Sequence, residues 1–283
     1  MALPTLVKAA LPMVPGVNQL PGIKKSGGDF AEITRERTGA LVDPAHVAAY
    51  ASVCGFESRD RVPLPYAHML AFGLHMDIMT SSEFPYPAIG TVHVSNSIHQ
   101  IRPIVVGERL DITVTATNLR PHPKGKVFDM LARASVDGAD VWESTSTYLR
   151  FGKGDASAKP DGDSLEVVPS NGVLWRLPAN LGRRYGAVSG DRNPIHLYPL
   201  TAKALGFNRQ IAHGMWSLAR CVAAIDSRLP DDVTVDVEFK KPIFLPGTVA
   251  FGSRVVDGGS QNGIDFALTD PKKGSPHLVG RSR

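Results

Sequence analysis

The sequence predicts an α+β protein built from two copies of one structural unit. Each copy contains a long apolar helix followed by about four β-rich runs, and turn residues separate the runs as in an antiparallel meander. A stretch rich in Gly, Asp, Ser, Ala and Lys lies between the copies at residues 152–162. The length of 283 residues is sufficient for two domains, each with its own core.

The elements of the first copy begin with a helix whose start is marked by Asp43 and Pro44, because proline is favoured at the first helical position. A second helix is predicted over residues 66–79, where apolar side chains on nearly every face indicate burial. The β-rich runs follow at residues 91–103, 108–117, 126–136 and 141–151.

The second copy repeats this order. A helix is predicted from Gly214 to about Arg228, and β-rich runs follow at residues 234–244, 248–256, 264–268 and 277–279. One more strand is expected before the long helix of each copy. The two units could pair edge to edge, which would hide the edges that a lone open sheet exposes.

The predicted domain organisation has four parts. Residues 1–40, which contain several prolines, are expected to form an N-terminal arm with loose structure. The parts that follow are a first domain at residues 41–151, a linker at residues 152–170 and a second domain at residues 171–283.

Short residue matches relate the two copies, and they also show where the copies differ. Residues 50–55 align with 185–190, residues 67–68 with 212–213, and residues 102–107 with 241–247. Phe56 and Arg61 stand where the second copy has Asp191 and His196, and the first copy has ten fewer residues in the segment that follows. We therefore expect the second copy to carry the chemistry and the first to have lost it.

A carboxylate and an imidazole lie five residues apart in the second copy, at Asp191 and His196. Pro194 has no amide hydrogen and disfavours the helical conformation at Asn193, so the pair is expected on an irregular loop rather than on one helix face. Gly214 opens a helix whose first amides have no partner inside the helix. An acid–base pair near such a helix start suits proton transfer beside a developing negative charge.

These residues resemble the signature of the MaoC-like dehydratases, also called (R)-specific enoyl-CoA hydratases or hydratase 2. That signature is an aromatic residue, a short spacer, Gly-Asp-x-Asn-Pro-x-His, five residues and a small residue, and it is met from Tyr185 to Ala202. His213-Gly214-Met215 and the Lys241-Pro242 strand also match the family. The strong similarity covers about residues 183–256.

The resemblance implies a tandem (double) hotdog fold, in which each antiparallel sheet wraps around a long central helix. The first copy matches only as a degenerate repeat, as in the double-hotdog members of the family. The overall pattern is similar to the two-domain mycobacterial-type 3-hydroxyacyl-thioester dehydratases. The arm before Leu41 matches no part of the family.

The resemblance also implies a hydro-lyase that interconverts trans-2-enoyl thioesters and (R)-3-hydroxyacyl thioesters in fatty-acid metabolism. It gives Asp191 and His196 as the catalytic pair and the backbone N–H of Gly214 as the oxyanion donor, with Asn193 in support. The chemistry of these groups agrees, because an imidazole with a pKa of about 6.5 can act as base or acid near neutrality. Glycine lets a substrate carbonyl approach the backbone without a Cβ in the way.

Further residues near the site are expected to contact the substrate: Tyr185, Ser189, Met215 and Lys241. His213 is expected to be structural rather than catalytic, and Val222 replaces a serine that some family members carry. The helix at residues 66–79 is either ordinary core or the wall of an acyl tunnel. The cations near the site either form a solvated face or meet the phosphates of coenzyme A or an acidic carrier protein, and they are Arg183, Arg184, Arg192, Lys240 and Lys241.

Composition excludes several classes of function. The net charge of +4 and the lack of a dense Lys/Arg run favour a small anion or an acidic carrier over nucleic acid. Prolines interrupt the apolar first 20 residues, and no run is long enough to span a bilayer, so a cytoplasmic protein without membrane insertion is expected. Cys54 and Cys221 are expected to be buried free thiols. No metal is expected, and no cofactor beyond the coenzyme A or carrier protein that bears the acyl group.

Two other functions stay open on the sequence. A hotdog thioesterase would also use a carboxylate and a helix start, although the Asn-Pro-x-His that follows Asp191 argues against it. A non-catalytic acyl-thioester-binding or scaffold subunit would predict loss of Asp191 or His196, and both are present. The tandem repeat makes the chain a pseudo-dimer, so a monomer is feasible and a homodimer is possible.

Overall fold

The computed structural model describes residues 25, 27–57, 61–159, 165–256 and 263–283. Within them, ten strands form one antiparallel sheet in the order β1-β3-β4-β5-β2-β7-β10-β9-β8-β6. The strands are β1 (Ile33–Leu41), β2 (Thr91–Gln100), β3 (Arg109–His122), β4 (Gly125–Val136), β5 (Ala139–Phe151), β6 (Val173–Leu177), β7 (Val233–Phe239), β8 (Gly247–Val256), β9 (Gly263–Thr269) and β10 (Pro276–Ser282).

The strand order is the same in both halves when each half is read from its outer edge. The order β1-β3-β4-β5-β2 in the first half corresponds to β6-β8-β9-β10-β7 in the second. Strands β2 and β7 meet at the centre, with Ser95 opposite Glu238 and Gln100 opposite Val233. The halves therefore pair edge to edge, and their inner edges are covered in one continuous sheet.

The helices pack against this sheet. The first half contains α1 (Pro44–Cys54) and α2 (Ala67–Thr80), and the second contains α3 (Leu181–Ser189), α4 (Pro194–Leu197), α5 (Pro199–Ala204) and α6 (Gly214–Ile225). Helix α1 begins as predicted, because the Asp43 side chain accepts a hydrogen bond from the His46 amide at 2.8 Å and Pro44 is the first helical residue. The helix ends at Gly55, where φ is +82°.

One hydrophobic core runs through both halves. It includes fully buried residues of α2, such as Ala71 and Ile78, and of α6, such as Leu218 and Val222. Helices from the two halves also touch, because the Trp216 indole N–H in α6 donates to the Val53 carbonyl in α1 at 3.1 Å. No helix in the described ranges is long and apolar enough to cross a membrane.

The predicted loose arm at residues 1–40 is wrong for its last part. Strand β1 begins at Ile33 and pairs with β3, where Ile33 lies opposite Ala116. Only Ile33 and Ala40 of this edge strand are buried, so its sequence lacks the apolar alternation that usually signals a strand. Residues 1–24 and 26 of the arm lie outside the described residues.

Other boundaries differ from the predicted ones for reasons of local chemistry. Strand β7 ends at Phe239 rather than at residue 244, because Pro242 and Pro246 cannot donate to a ladder. In the predicted linker at residues 152–170, Leu165 and Val168 pack against the sheet of the second half, while residues 160–164 lie outside the described residues. The four-part division of the chain stays a prediction.

Candidate active site

A cavity of about 740 Å³ is lined by both halves of the chain. The second half contributes the segment from Ser189 to His196 and the start of α6, and the first half contributes one face of α2 together with residues of β2 and β5. A cavity of this volume suits a ligand of moderate size.

Side chains of the loop between α3 and α4 fix their own backbone. Gly190, at φ +75°, turns the chain out of α3. The Ser189 hydroxyl accepts the Asp191 amide at 3.1 Å, and an Asp191 carboxylate oxygen accepts the Asn193 amide at 3.0 Å. The Asn193 side chain then accepts the Ile195 amide at 3.3 Å and caps α4. Each bond spans two residues, so the loop is held in one conformation.

The expected irregular loop is observed at residues 190–193, but His196 lies on the single helical turn of α4. Pro194 disfavours a helical conformation in the residues before it, but it is well suited to the first position of a helix. A helical turn can therefore begin at Pro194, as α4 does. The Arg183 guanidinium donates to the Leu197 carbonyl at the end of this turn, at 2.9 Å.

His196 is buried and has a defined tautomer. Its Nδ1 lies 2.8 Å from the Ile211 carbonyl, which can only accept, so Nδ1 carries the hydrogen and Nε2 carries the lone pair. The His213 ring stacks on the His196 ring with centroids 3.7 Å apart. His213 Nε2 donates to the Asp191 carbonyl at 2.9 Å and lies 3.8 Å from an Asp191 carboxylate oxygen.

The electrostatics of the site follow from its burial. Burial lowers the pKa of His196, and the Asp191 carboxylate and the Ile211 carbonyl oppose this only in part. Burial, together with repulsion from His196, lowers the pKa of His213 to about 3. Burial raises the pKa of Asp191, but the two histidines and the Asn193 amide outweigh it and hold that pKa below its usual range. The site at neutral pH therefore contains an ionised carboxylate beside neutral imidazoles.

Gly214 is the first residue of α6, so its amide has no partner inside the helix. A Cβ at this position would lie 3.1 Å from the Phe239 ring. The positive end of the helix dipole and the exposed amide edge favour negative charge on a bound group. The amide lies on the wall of the same cavity as Asp191 and His196.

The close packing of α3 on the segment that carries Asp191 and His196 was not predicted. A Cβ at Gly182 would lie 1.9 Å from the His196 carbonyl oxygen, and one at Gly186 would lie 2.8 Å from that of Asp191. Glycine at both positions lets α3 lie directly against this segment. The spacing of four residues, about one helical turn, is the signal in the sequence that could have indicated a contact face.

The structure places every predicted site residue on this cavity. The predicted substrate contacts Tyr185, Ser189, Met215 and Lys241 line it, as does Asn193. Among the cations, Arg192, Lys240 and Lys241 line it as well, whereas Arg183 contacts the end of α4. Val222, which replaces a serine of some family members, is buried in the core. Ser217, earlier in α6, has a hydroxyl and lines the cavity.

Helix α2 combines features of both interpretations. Met69, Phe72, Met76 and Met79 line the cavity, so the helix forms one of its walls. Met69 and Met79 also belong to the hydrophobic core, as does Leu74. His213, which was expected to be structural, contacts both members of the pair.

Asp191, His196 and His213 offer ligand atoms within 4.8 Å of one another, a separation that would suit a metal ion. His196 Nδ1 and His213 Nε2 each donate to a backbone carbonyl, and the other nitrogen of each neutral ring keeps its lone pair. The expectation that the site holds no metal stays a prediction.

Comparisons with known proteins agree with this geometry. Residues 177–270 match the model of the MaoC-like domain family. The chain is 39% identical over 277 residues to a 3-hydroxyacyl-thioester dehydratase X of Mycobacterium tuberculosis, covering 97% of this chain and 94% of the relative. It is 31% identical over 86 residues to an (R)-specific enoyl-CoA hydratase of Aeromonas caviae, covering 29% of this chain and 64% of the relative. The crystal structure of HtdX from Mycobacterium tuberculosis superposes with a TM-score of 0.77 at 37% identity, covering 89% of this chain and 99% of that one.

Two conclusions follow at different levels. The fold is the tandem hotdog that the family resemblance implied, a pseudo-dimer of two helix-and-sheet units in one chain. The chain belongs to the MaoC-like dehydratase family, and it is a hydro-lyase of the class that its relatives represent.

Proposed function

We propose that this chain catalyses the reversible hydration of trans-2-enoyl thioesters to (R)-3-hydroxyacyl thioesters in fatty-acid metabolism. The observation that carries the proposal is the pair of the half-buried Asp191 and the buried His196, which shares a cavity with Gly214, whose amide at the start of α6 has no partner inside the helix. The names of two relatives, a 3-hydroxyacyl-thioester dehydratase and an (R)-specific enoyl-CoA hydratase, support the substrate class and the configuration.

In the hydration direction, a water molecule held between Asp191 and His196 attacks C3 of the enoyl thioester. The ionised Asp191 carboxylate accepts a hydrogen bond from the water, and Nε2 of His196, which carries the lone pair, removes the other proton. Protonated His196 then delivers that proton to C2. One water thus supplies both the hydroxyl and the hydrogen, and they add to the same face.

The electron pair of the C2–C3 double bond moves towards the thioester oxygen as the new C–O bond forms. The Gly214 amide and the helix dipole of α6 stabilise the negative charge on that oxygen. The Gly214 amide costs little free energy to orient because it is part of a helix. The stacked His213 ring holds the proposed base, His196, in position.

The rest of the cavity matches the remaining parts of such a substrate. Methionines and Phe72 of α2 provide an apolar wall for the acyl chain. Arg192 and Lys241 supply positive charge for the phosphates of coenzyme A or for an acidic carrier protein. The scheme uses no metal and no redox cofactor.

The direct test follows the absorbance of the enoyl-thioester band with crotonyl-CoA and with a long-chain trans-2-enoyl-CoA. The wild-type protein is expected to remove the band. Asp191→Asn and His196→Gln should each lower kcat by about 10²–10⁴-fold, the usual contribution of a positioned acid or base. Chelator treatment should leave the wild-type rate unchanged.

The same assay distinguishes the other functions. Release of free thiol would indicate a thioesterase and contradict the proposal. An unchanged band with both coenzyme A esters and with the same enoyl groups on an acyl carrier protein would indicate a binding subunit. Turnover of the carrier-protein substrates alone would retain the reaction and assign the carrier.

A further inference from the structure

The first half contributes a group of polar rings to the cavity that the proposed reaction does not use. His68 at the start of α2, His93 on β2 and Tyr148 on β5 line it, and we call these three side chains the polar wall. The rings of His68 and His93 are 6.2 Å apart, and those of His93 and Tyr148 are 4.6 Å apart. Both pairs are nearly parallel, at 17° and 18°.

The polar wall stands in an otherwise mostly apolar surface. Its neighbours on the cavity include Met69, Phe72 and Met76 of α2. Placing an imidazole among such side chains costs free energy unless its nitrogens form hydrogen bonds. A wall that only had to accommodate a hydrocarbon chain would gain nothing from histidine.

Several nitrogens of this group have no protein partner among the residues that the structure describes. They are His68 Nδ1, His93 Nε2 and the Nε2 of His75, which lies behind the wall. His68 is 2% exposed and its ring is 5.2 Å from that of His75. The other nitrogen of His75 is 3.4 Å from the Tyr148 hydroxyl. Buried polar groups are rarely left unpaired, so these nitrogens, which have almost no accessible surface, need a partner that the described protein atoms do not supply.

The rings of the polar wall are neutral at neutral pH. Burial lowers the pKa of His68 to about 4 and, with repulsion between the two rings, that of His93 to about 3, although the Asp191 carboxylate opposes both changes. Each neutral ring offers one N–H donor and one acceptor nitrogen. Such a pair suits an uncharged oxygen, which can accept from an N–H and, as a hydroxyl, also donate to the ring nitrogen.

The polar wall lies next to the reacting position. The His93 ring is 5.0 Å from the Phe239 ring, which in turn packs against Gly214 at the start of α6. His68 begins α2, and Met79 lies eleven residues further on, about 16 Å along the helix. A chain whose thioester oxygen meets Gly214 therefore passes the polar wall before it reaches the far methionines.

We propose that the polar wall selects acyl chains that carry a hydroxyl or carbonyl oxygen a few carbons beyond the reacting double bond. The inference rests on the proposed function, because it assumes that the cavity holds a 2-enoyl or 3-hydroxyacyl thioester. The bound oxygen would hydrogen-bond to His68 or His93 and supply the partner that these rings lack.

The test compares a hydroxyl with a methyl group of similar size on the same chain. The substrates are trans-2-octenoyl-CoA and its derivatives with a hydroxyl or a methyl group at C5, C6 or C7. For the wild type, we expect kcat/KM to be about tenfold or more higher for the hydroxyl compound than for the methyl compound at one of these carbons. One net hydrogen bond has an effect of about this size. A preference below about twofold at every position would overturn the inference.

The variants His68→Leu and His93→Leu remove the nitrogens, and at least one should bring the hydroxyl-to-methyl ratio close to one. Phe72→Leu is the matched control, because it changes the shape of the same wall without touching a polar atom. Any change in kcat/KM that it causes should be common to all substrates, so the ratio should stay at the wild-type value. A ratio that survives in both histidine variants would overturn the inference.

A binding measurement separates this inference from the proposed reaction. In Asp191→Asn the polar wall is intact, and calorimetry with octanoyl-CoA bearing a hydroxyl or a methyl group needs no turnover. The hydroxyl ester is expected to bind about tenfold more tightly at the preferred position, and equal Kd values would overturn the inference. Failure of the wild type to hydrate any enoyl-CoA or carrier-protein substrate would instead contradict the proposed function, whatever the Kd ratio.

Discussion

At the scale of single residues, the contribution of the Gly214 amide can be tested separately from the effect of adding a Cβ at this position. Proline fits the first position of a helix, and the residue before it must be extended, which His213 already is at φ −67° and ψ 140°. Gly214→Pro therefore removes the proposed oxyanion donor from a compatible backbone, whereas Gly214→Ala keeps the donor.

We expect Gly214→Pro to lower kcat by about 10²–10³-fold relative to Gly214→Ala, the usual effect of losing one oxyanion donor. The comparison cancels the cost of the added Cβ, which both variants place near the Phe239 ring. Steady-state kinetics on one enoyl thioester measures the ratio, and circular dichroism checks the fold. Equal rates for the two variants would show that the amide is not the donor.

The sequence predicts Asp191 and His196 as the proposed catalytic pair because their signature is local. Asp191, Asn193 and His196 lie within six residues, and the bonds that shape their loop each span two residues. The groups that complete the site come from further away, as the Ile211 carbonyl does for His196. Such a contact depends on tertiary packing, and no spacing in the sequence encodes it.

At the scale of elements, the contact of α3 with the segment that carries Asp191 and His196 depends on glycine. Gly182→Ala would place a Cβ 1.9 Å from the His196 carbonyl oxygen, so α4 must move. Overpacking of this kind typically costs about 1–3 kcal/mol of unfolding free energy. We expect kcat to fall as well, because displacement of about 1 Å can cost about 10²-fold in rate.

Gly73 in α2 provides the matched control, since a Cβ there would have no heavy atom within 4 Å. Gly73→Ala should raise the unfolding free energy by about 0.5–1 kcal/mol through helix propensity and leave the rate unaffected. Urea denaturation and steady-state kinetics on both variants make the comparison. Similar behaviour of the two would contradict a special role for the α3 contact.

The elements themselves illustrate what the sequence can reveal about the fold. Helices α2 and α6 and four strands of each half follow from strong apolar patterns, and the repeat suggests the central pairing. One more strand was expected before the long helix of each half, and β1 and β6 are these strands, but the sequence did not locate them. Strand β1 lies at the sheet edge with two buried residues, and α4 was missed because a single turn has no periodicity. The fold is thus predictable where burial is extensive and less so at its margins.

At the scale of the whole molecule, buried histidines make stability depend on pH. The pKa of each lies below the ordinary value of 6.5, in every case mainly through burial, and the residues are His68, His75, His93, His196 and His213. As pH falls through 6.5, the unfolded chain takes up protons that the folded chain does not. The folded state therefore loses stability on the acid side.

We expect the free energy of unfolding to be nearly constant from pH 8 to 7 and to fall steadily between pH 6.5 and 5. Each histidine contributes at most about 1.4 kcal/mol per pH unit in this window. Carboxylates such as Asp191, whose pKa is lowered, lose their stabilising effect only at lower pH. Urea titrations at several pH values test this, and an unchanged midpoint down to pH 5 would contradict it.

The unequal halves also bear on how such a protein can diversify. In an assembly of two identical subunits, every substitution appears in both subunits. A substitution that reshapes the pocket wall of one subunit therefore also changes the subunit whose loop faces that wall. Here Phe56 lies at the position that aligns with Asp191, and the wall at α2 is encoded separately from the loop it faces. A single chain fixes a one-to-one stoichiometry of the two halves, so a substitution that changes the substrate range through the first half leaves the sequence of the second half unchanged.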